Sequence, residues 1–107
     1  TVSGLIDGET RHAEAAAKRL ESGVMRILVI EDNPDIAENI SDYLGDRGHQ
    51  VELAADGVQG FQMAATGDYD VIVLDLMLPG MDGLELCRRL RQEARRHTPV
   101  LMATARD

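Results

Sequence analysis

A short stretch near the middle of the chain, residues 71–83, constrains the fold more than any other part of the sequence. It reads Val-Ile-Val-Leu-Asp-Leu-Met-Leu-Pro-Gly-Met-Asp-Gly, so four apolar residues lead into Asp75 and turn signals follow at Pro79 and Gly80. A short β-branched run bounded by turn residues is typical of a strand that is buried on both faces. The Asp75 carboxylate is therefore expected at the carboxyl end of a central strand, where open α/β sheets place their binding sites.

Strand and helix patterns alternate on both sides of this stretch, beginning at Met25. Asn33 and Pro34 predict a helix start directly after the first strand, because asparagine caps helices and proline suits their first turn. The alternation predicts an α/β fold, a flavodoxin-like parallel sheet with flanking helices in the order β-α-β-α-β-α-β. The predicted strands are Arg26–Ile30, Gln50–Ala54, Val71–Asp75 and Thr98–Ala103, and the predicted last helix is Gly83–Ala94.

Residues 1–24 differ from the remainder and are predicted to be a helical, loosely attached leader, with the domain proper at residues 25–107. Thr10 could cap a helix that Gly23 ends. The apolar face of this helix is shallow, so little burial would hold it in place; a partner-binding helix is the alternative. That face consists of Ala13, Ala16, Ala17 and Leu20.

Length and charge narrow the class of protein. A chain of 107 residues is one domain at most. It carries 19 Asp and Glu against 11 Lys and Arg, which disfavours direct binding to nucleic acid. The single cysteine, Cys87, cannot form an internal disulfide, and no apolar run has the length of a membrane span. A cytoplasmic protein with no membrane contact is therefore expected.

Polar residues end three of the predicted strands. Glu31 and Asp32 end the first strand, Asp75 the third and Thr104 the fourth. In a parallel sheet these ends share one edge, where three carboxylates would repel one another unless a hard cation such as Mg²⁺ joined them. A carboxylate beside Mg²⁺ is suited to accept a phosphoryl group, and Thr104 could donate to a phosphoryl oxygen. Spacing alone does not identify which carboxylate is the nucleophile.

Three segments of the chain resemble the motifs of receiver domains in bacterial two-component response regulators. They are Ile27–Asn33 (Ile-Leu-Val-Ile-Glu-Asp-Asn), Val73–Gly83 and Pro99–Asp107, and they occur in the family's order. The sequence is most similar to the class with a winged-helix DNA-binding output domain. The resemblance covers Met25 to Asp107.

The resemblance implies a role for each matching residue. Glu31 and Asp32 would bind Mg²⁺ together with Asp75, and Met77 would add its backbone carbonyl. Asp75 would accept the phosphoryl group from a sensor histidine kinase. Thr104 would contact the phosphate and couple it to a conformational switch.

The chain also departs from the family pattern. A complete receiver has a fifth strand that ends in a lysine, followed by a last helix, whereas this sequence stops after the fourth strand and its only lysine is Lys18. The resemblance therefore implies a truncated receiver whose DNA-binding output is missing from this chain. The fourth strand is expected to present an exposed edge that could pair with a second copy.

Two other functions are compatible with the same residues. One is a phosphohydrolase of the haloacid-dehalogenase type, although such enzymes have a second carboxylate two residues after the nucleophile and position 77 is Met. The other is a non-phosphorylated interaction fragment that merely retains the carboxylates. The remaining aspartates near predicted element ends are interpreted as cap and turn residues, namely Asp56, Asp70 and Asp82.

Overall fold

The computed structural model describes residues 2–5, 23–75, 78 and 81–103. No helix among these residues has the length and apolar character needed to cross a membrane. The strands are β1 (Val2–Leu5), β2 (Arg26–Ile30), β3 (Gln50–Ala54), β4 (Val71–Asp75) and β5 (Val100–Ala103). The helices are α1 (Pro34–Asp46), α2 (Gly57–Thr66) and α3 (Gly83–Gln92).

The strands form one sheet in the order β1-β5-β4-β2-β3. Strands β2, β3, β4 and β5 are mutually parallel, and β1 is antiparallel to β5. The chain passes from β2 to β3 and then crosses to β4 on the opposite side of β2. This arrangement confirms the flavodoxin-like prediction, with its switch point between β2 and β4.

Strand β2 is buried on both faces, as expected of a central strand in a parallel sheet. Leu28 and Ile30 pack on the side of α2 and α3, whereas Ile27 and Val29 pack on the side of α1 with Leu44. The four β2 residues are at most 1% exposed. Because successive residues of a strand point to opposite faces, this alternation fixes which side each helix covers.

All three helices begin with a capped first turn. Asn33, Asp56 and Asp82 cap α1, α2 and α3. Their side-chain oxygens accept backbone N–H groups of the first turns at 2.7 to 3.3 Å. These caps confirm the sequence predictions for all three residues, and they start every helix at the edge of the sheet where β2, β3 and β4 end.

The sheet contains one strand that the sequence pattern does not reveal. β1 pairs with β5, which corresponds to the fourth strand of the sequence prediction. The prediction that this strand has an exposed edge is therefore wrong. Its sequence, Val-Ser-Gly-Leu, is short and contains glycine, which explains why no strand signal stands out. The helix predicted to begin at Thr10 falls on residues 10–22, which lie outside the described residues. The last helix ends at Gln92 instead of Ala94, and β5 begins at Val100 instead of Thr98.

A polar network joins β2, β3 and the residues just before β4, on the side of the sheet where the parallel strands begin. The Arg26 Nε and Nη2 atoms donate to Glu52 Oε2 at 3.0 and 2.7 Å. The Tyr69 hydroxyl donates to Glu52 Oε1 at 3.2 Å, and the Arg26 guanidinium lies 4.9 Å from the Tyr69 ring centroid. The hydrogen bond from Arg26 lowers the pKa of Glu52. The backbone N–H of Arg26 also donates to the Asp70 carboxylate at 2.8 Å.

We expect the Glu52→Gln substitution to change how stability depends on pH. Because the pKa of Glu52 is lower in the folded protein, its contribution is present above its ordinary pKa of 4.5 and is lost as the pH falls through the folded value. The difference in free energy of unfolding between the two proteins should therefore shrink on acidification. Urea titrations at a series of pH values measure it. Glu38→Gln, which removes the same charge from an exposed position on α1, is the matched control, and an equal pH dependence of the two variants would contradict the prediction.

Gly60 allows α2 to lie directly on β2. A Cβ atom at this position would stand 2.5 to 3.0 Å from three side-chain carbons of Ile30, which is itself only 1% exposed. Gly60→Ala should therefore lower the free energy of unfolding by about 1–3 kcal/mol. Gly45→Ala in α1 is the matched control, since nothing lies within 4 Å of its Cβ. It should raise stability by about 0.5–1 kcal/mol. Equal effects of the two substitutions in urea unfolding would contradict this packing.

Candidate functional site

The pairing of β2 with β4 brings two predicted site positions to the same level of the sheet. Ile30 pairs with Leu74, so Glu31 and Asp75 each follow a paired residue on neighbouring strands. Neighbouring strands lie about 4.8 Å apart, so the two positions are adjacent at the switch point. The sequence predicts this adjacency from the strand ends together with a flavodoxin-like strand order.

The pairing of β4 with β5 extends this edge by one strand. Asp75 pairs with Ala103, the last residue of β5, and position 104 comes next in the chain. Thr104 and Met77 lie outside the described residues, so their predicted roles stay predictions. The backbone pairing of Asp75 supports its predicted position at the end of the strand. Its predicted role as phosphoacceptor stays a prediction.

Glu31 is held firmly at the end of β2. Its N–H donates to the carbonyl oxygen of Ala54 at 3.0 Å, which extends the β2–β3 ladder by one residue. Its Oε2 atom accepts the Asn33 N–H at 3.0 Å, and the residue is only 4% exposed. A buried carboxylate needs hydrogen bonds or a cation, and the turn into α1 supplies the first of these. Asp32 is more exposed than Glu31.

The helix starts lie at the same edge as the carboxylates. Asn33 caps α1 immediately after Asp32, and α2 and α3 also begin where the strands end. The amino end of a helix carries partial positive charge, which favours nearby anions. The helix starts therefore make this edge of the sheet more favourable for negatively charged groups.

Two described residues that follow β4 are packed into the core. Leu78 and Met81 are each 8% exposed and belong to the cluster under α2 and α3. A Cβ atom on Gly57 would stand 2.7 Å from the Cβ of Met81, so the first residue of α2 touches this loop. The sequence pattern does not predict this contact between Gly57 and Met81. The only available signal was a glycine directly after the cap residue Asp56.

The donor set at this edge fits a hard divalent cation. Glu31 and Asp32 offer only oxygen ligands, and Mg²⁺ is bound through one or two carboxylates with several waters. Within the described side chains, no three His, Cys, Asp or Glu groups form a metal cluster. The full ligand set therefore stays a prediction. His49 lies on the other side of the sheet, before β3 begins. Its Nδ1 atom accepts the backbone N–H of Met25 at 3.0 Å.

This fold and this edge define a class of protein: a doubly wound α/β domain with carboxylates at its switch point. The family profile of the response regulator receiver domain matches residues 27–107. The chain belongs to this family. The match favours the receiver over the phosphohydrolase alternative raised by the sequence.

The curated relatives that match this chain are longer proteins named as transcriptional regulatory proteins. The chain is 52% identical over 85 residues to the transcriptional regulatory protein TcrA of Mycobacterium tuberculosis, a match that covers 79% of this chain and 33% of that protein. It is 46% identical over 83 residues to the transcriptional regulatory protein DltR of Streptococcus agalactiae, covering 78% and 37%. The chain thus spans about a third of the length of the curated relatives it matches.

Solved structures share the fold. The receiver domain of the sensor histidine kinase PA1611 from Pseudomonas aeruginosa, described with a magnesium ion in its active-site cleft, is 36% identical with a TM-score of 0.68. That match covers 78% of this chain and 69% of the other.

We expect Asp32→Asn to weaken Mg²⁺ binding by roughly tenfold or more, because it removes a charged oxygen ligand from the predicted set. Asp46→Asn is the matched control: it removes the same charge from the last residue of α1. That position lies roughly 18 Å along the helix from the site edge. Calorimetric titration with Mg²⁺ compares the two variants. Equal affinities would contradict the predicted metal site.

Proposed function

We propose that the chain is the phosphoacceptor domain of a two-component response regulator. Asp75 accepts a phosphoryl group from a sensor histidine kinase, and Mg²⁺ is held by Glu31, Asp32 and Asp75 with the Met77 carbonyl. The domain acts as a signalling switch, so its product is its own phosphorylated state and not a released small molecule.

The strand register is the observation that carries this proposal. It sets the backbone of Asp75 between the end of β2, which delivers Glu31, and the end of β5. A phosphoacceptor at this point has metal ligands on one side and position 104 on the other. The match of residues 27–107 to the receiver family supports phosphoacceptor function for the domain as a whole.

The chemistry needs few protein groups. An oxygen of the Asp75 carboxylate attacks phosphorus while the bond to the kinase histidine nitrogen breaks, and an acyl phosphate results. Bound Mg²⁺ supplies charge neutralisation on the phosphoryl oxygens. Glu31 and Asp32 hold that charge in place, and the Thr104 hydroxyl donates to a phosphoryl oxygen. Positioning and electrostatics therefore account for the whole contribution of this chain.

The output of the switch is proposed to be transcriptional. Relatives named as transcriptional regulatory proteins are about three times as long as the match, so a DNA-binding part would lie outside this chain. The chain itself has a net charge of −8, which disfavours direct contact with DNA phosphates.

Treatment of the purified chain with acetyl phosphate and Mg²⁺ should add the mass of one phosphoryl group. Asp75→Asn should abolish the addition, because an amide is not a nucleophile of this kind. Asp46→Asn should leave it intact. Intact-mass spectrometry before and after chelation of Mg²⁺ measures both dependences.

Three outcomes would contradict the proposal. Labelling that survives Asp75→Asn would assign the phosphoryl group to another residue. Complete absence of labelling in wild type would favour the non-phosphorylated interaction fragment. Sustained turnover of a small phosphate ester would instead indicate the phosphohydrolase.

A further inference from the structure

The turn between β3 and α2 contacts both sides of the candidate site. Strand β3 ends at Ala54 and helix α2 begins at Gly57, so the turn is short. On one side, the Ala54 carbonyl oxygen accepts the Glu31 N–H at 3.0 Å. On the other side, a Cβ atom on Gly57 would stand 2.7 Å from the Cβ of Met81 and 3.3 Å from its carbonyl oxygen. One turn therefore contacts the chain that follows β2 and the chain that follows β4.

Gln59 holds this turn through two hydrogen bonds. Its Oε1 atom accepts the Ala55 N–H at 2.9 Å, and its own backbone N–H donates to Asp56 Oδ1 at 2.7 Å. Reciprocal bonds of this kind at a helix start fix the direction in which the chain enters the helix. Gln59 is exposed, so its hydrogen bonds and not its packing connect it to the turn.

The turn leaves little room for displacement. Ala54 is only 1% exposed, and the space beside Gly57 is filled by the backbone and Cβ of Met81. A shift of the turn would move the Ala54 carbonyl away from the Glu31 N–H. Glu31 is only 4% exposed, so a weakened hydrogen bond at this backbone position would be costly.

We propose that Gln59 is a positioning residue for the predicted metal site. By fixing the turn from Ala54 to Gly57, it holds the backbone of Glu31 at the end of β2 and the backbone of Met81 behind the end of β4. The inference rests on the proposed function, in which Glu31 is a ligand of Mg²⁺. Gln59 acts through the backbone of its neighbours and not as a ligand.

Amide hydrogen exchange of the metal-free protein tests the positioning of Glu31. Gln59→Met keeps the length of the side chain but removes the acceptor oxygen, whereas Gln59→Glu keeps an acceptor oxygen. Exchange of the Glu31 amide, followed by NMR, should rise roughly three- to tenfold in the first variant and stay near the wild-type rate in the second. The control is Thr66→Val, which removes the hydrogen bond from the Thr66 hydroxyl to the Gln62 carbonyl at the other end of α2. It should leave exchange at Glu31 unchanged.

Calorimetric titration with Mg²⁺ tests the consequence for the metal site. Gln59→Met should weaken binding by roughly three- to tenfold, which is less than the roughly ten- to hundredfold effect of losing a direct partner of a metal ligand. Thr66→Val should leave the affinity unchanged. Neither substitution alters the net charge, so a difference between them reports the geometry of the site and not its electrostatic field.

Three results would overturn the proposal. The first is unchanged exchange at Glu31 in Gln59→Met. The second is an equal effect of Thr66→Val, which would make the change a general loss of helix stability. The third is faster exchange with unchanged Mg²⁺ affinity, because the turn would then hold the strand end without positioning a ligand. If the wild-type protein binds no Mg²⁺, the proposed function fails, whereas the exchange comparison still decides whether Gln59 holds Glu31.

Discussion

The parallel register of three neighbouring strands is the constraint on which the rest of the molecule depends. Ile30 pairs with Leu74, and Asp75 pairs with Ala103. Glu31, Asp75 and position 104 each lie at or just beyond those pairs, so a shift of a single position would separate them and turn the strand side chains to the other face. Burial of β2 on both faces makes such a shift expensive, because it would bring the wrong residues beneath α1 and α2.

Much of the fold was predictable because its signals are local. The apolar runs of β2 and β4 and the cap residues Asn33, Asp56 and Asp82 depend only on neighbours in sequence, and each was assigned correctly. The convergence of Glu31 with Asp75 followed from topology, since parallel strands end at one edge. The roles of individual ligands required family resemblance, because a carboxylate at a strand end has the same sequence signature whether it binds metal or accepts phosphate.

The parts that the sequence did not predict depend on contacts between distant segments. β1 pairs with β5, which is far away in the sequence, and nothing in Val-Ser-Gly-Leu specifies that partner. The approach of Gly57 to Met81 and of Gly60 to Ile30 likewise becomes visible only once α2 lies on the sheet. Local patterns identify elements, whereas the close approaches that fix their separation are a property of the assembled core.

The antiparallel direction of β1 has a practical consequence for labelling the protein. Because Val2 lies at the level of Ala103, a group attached just ahead of β1 would start about two strand spacings, roughly 10 Å, from the backbone of Asp75. A fluorophore fused there would sense charge at the switch point, while a bulky affinity tag would crowd it. The two ends of this strand are therefore unequal attachment points for any reporter.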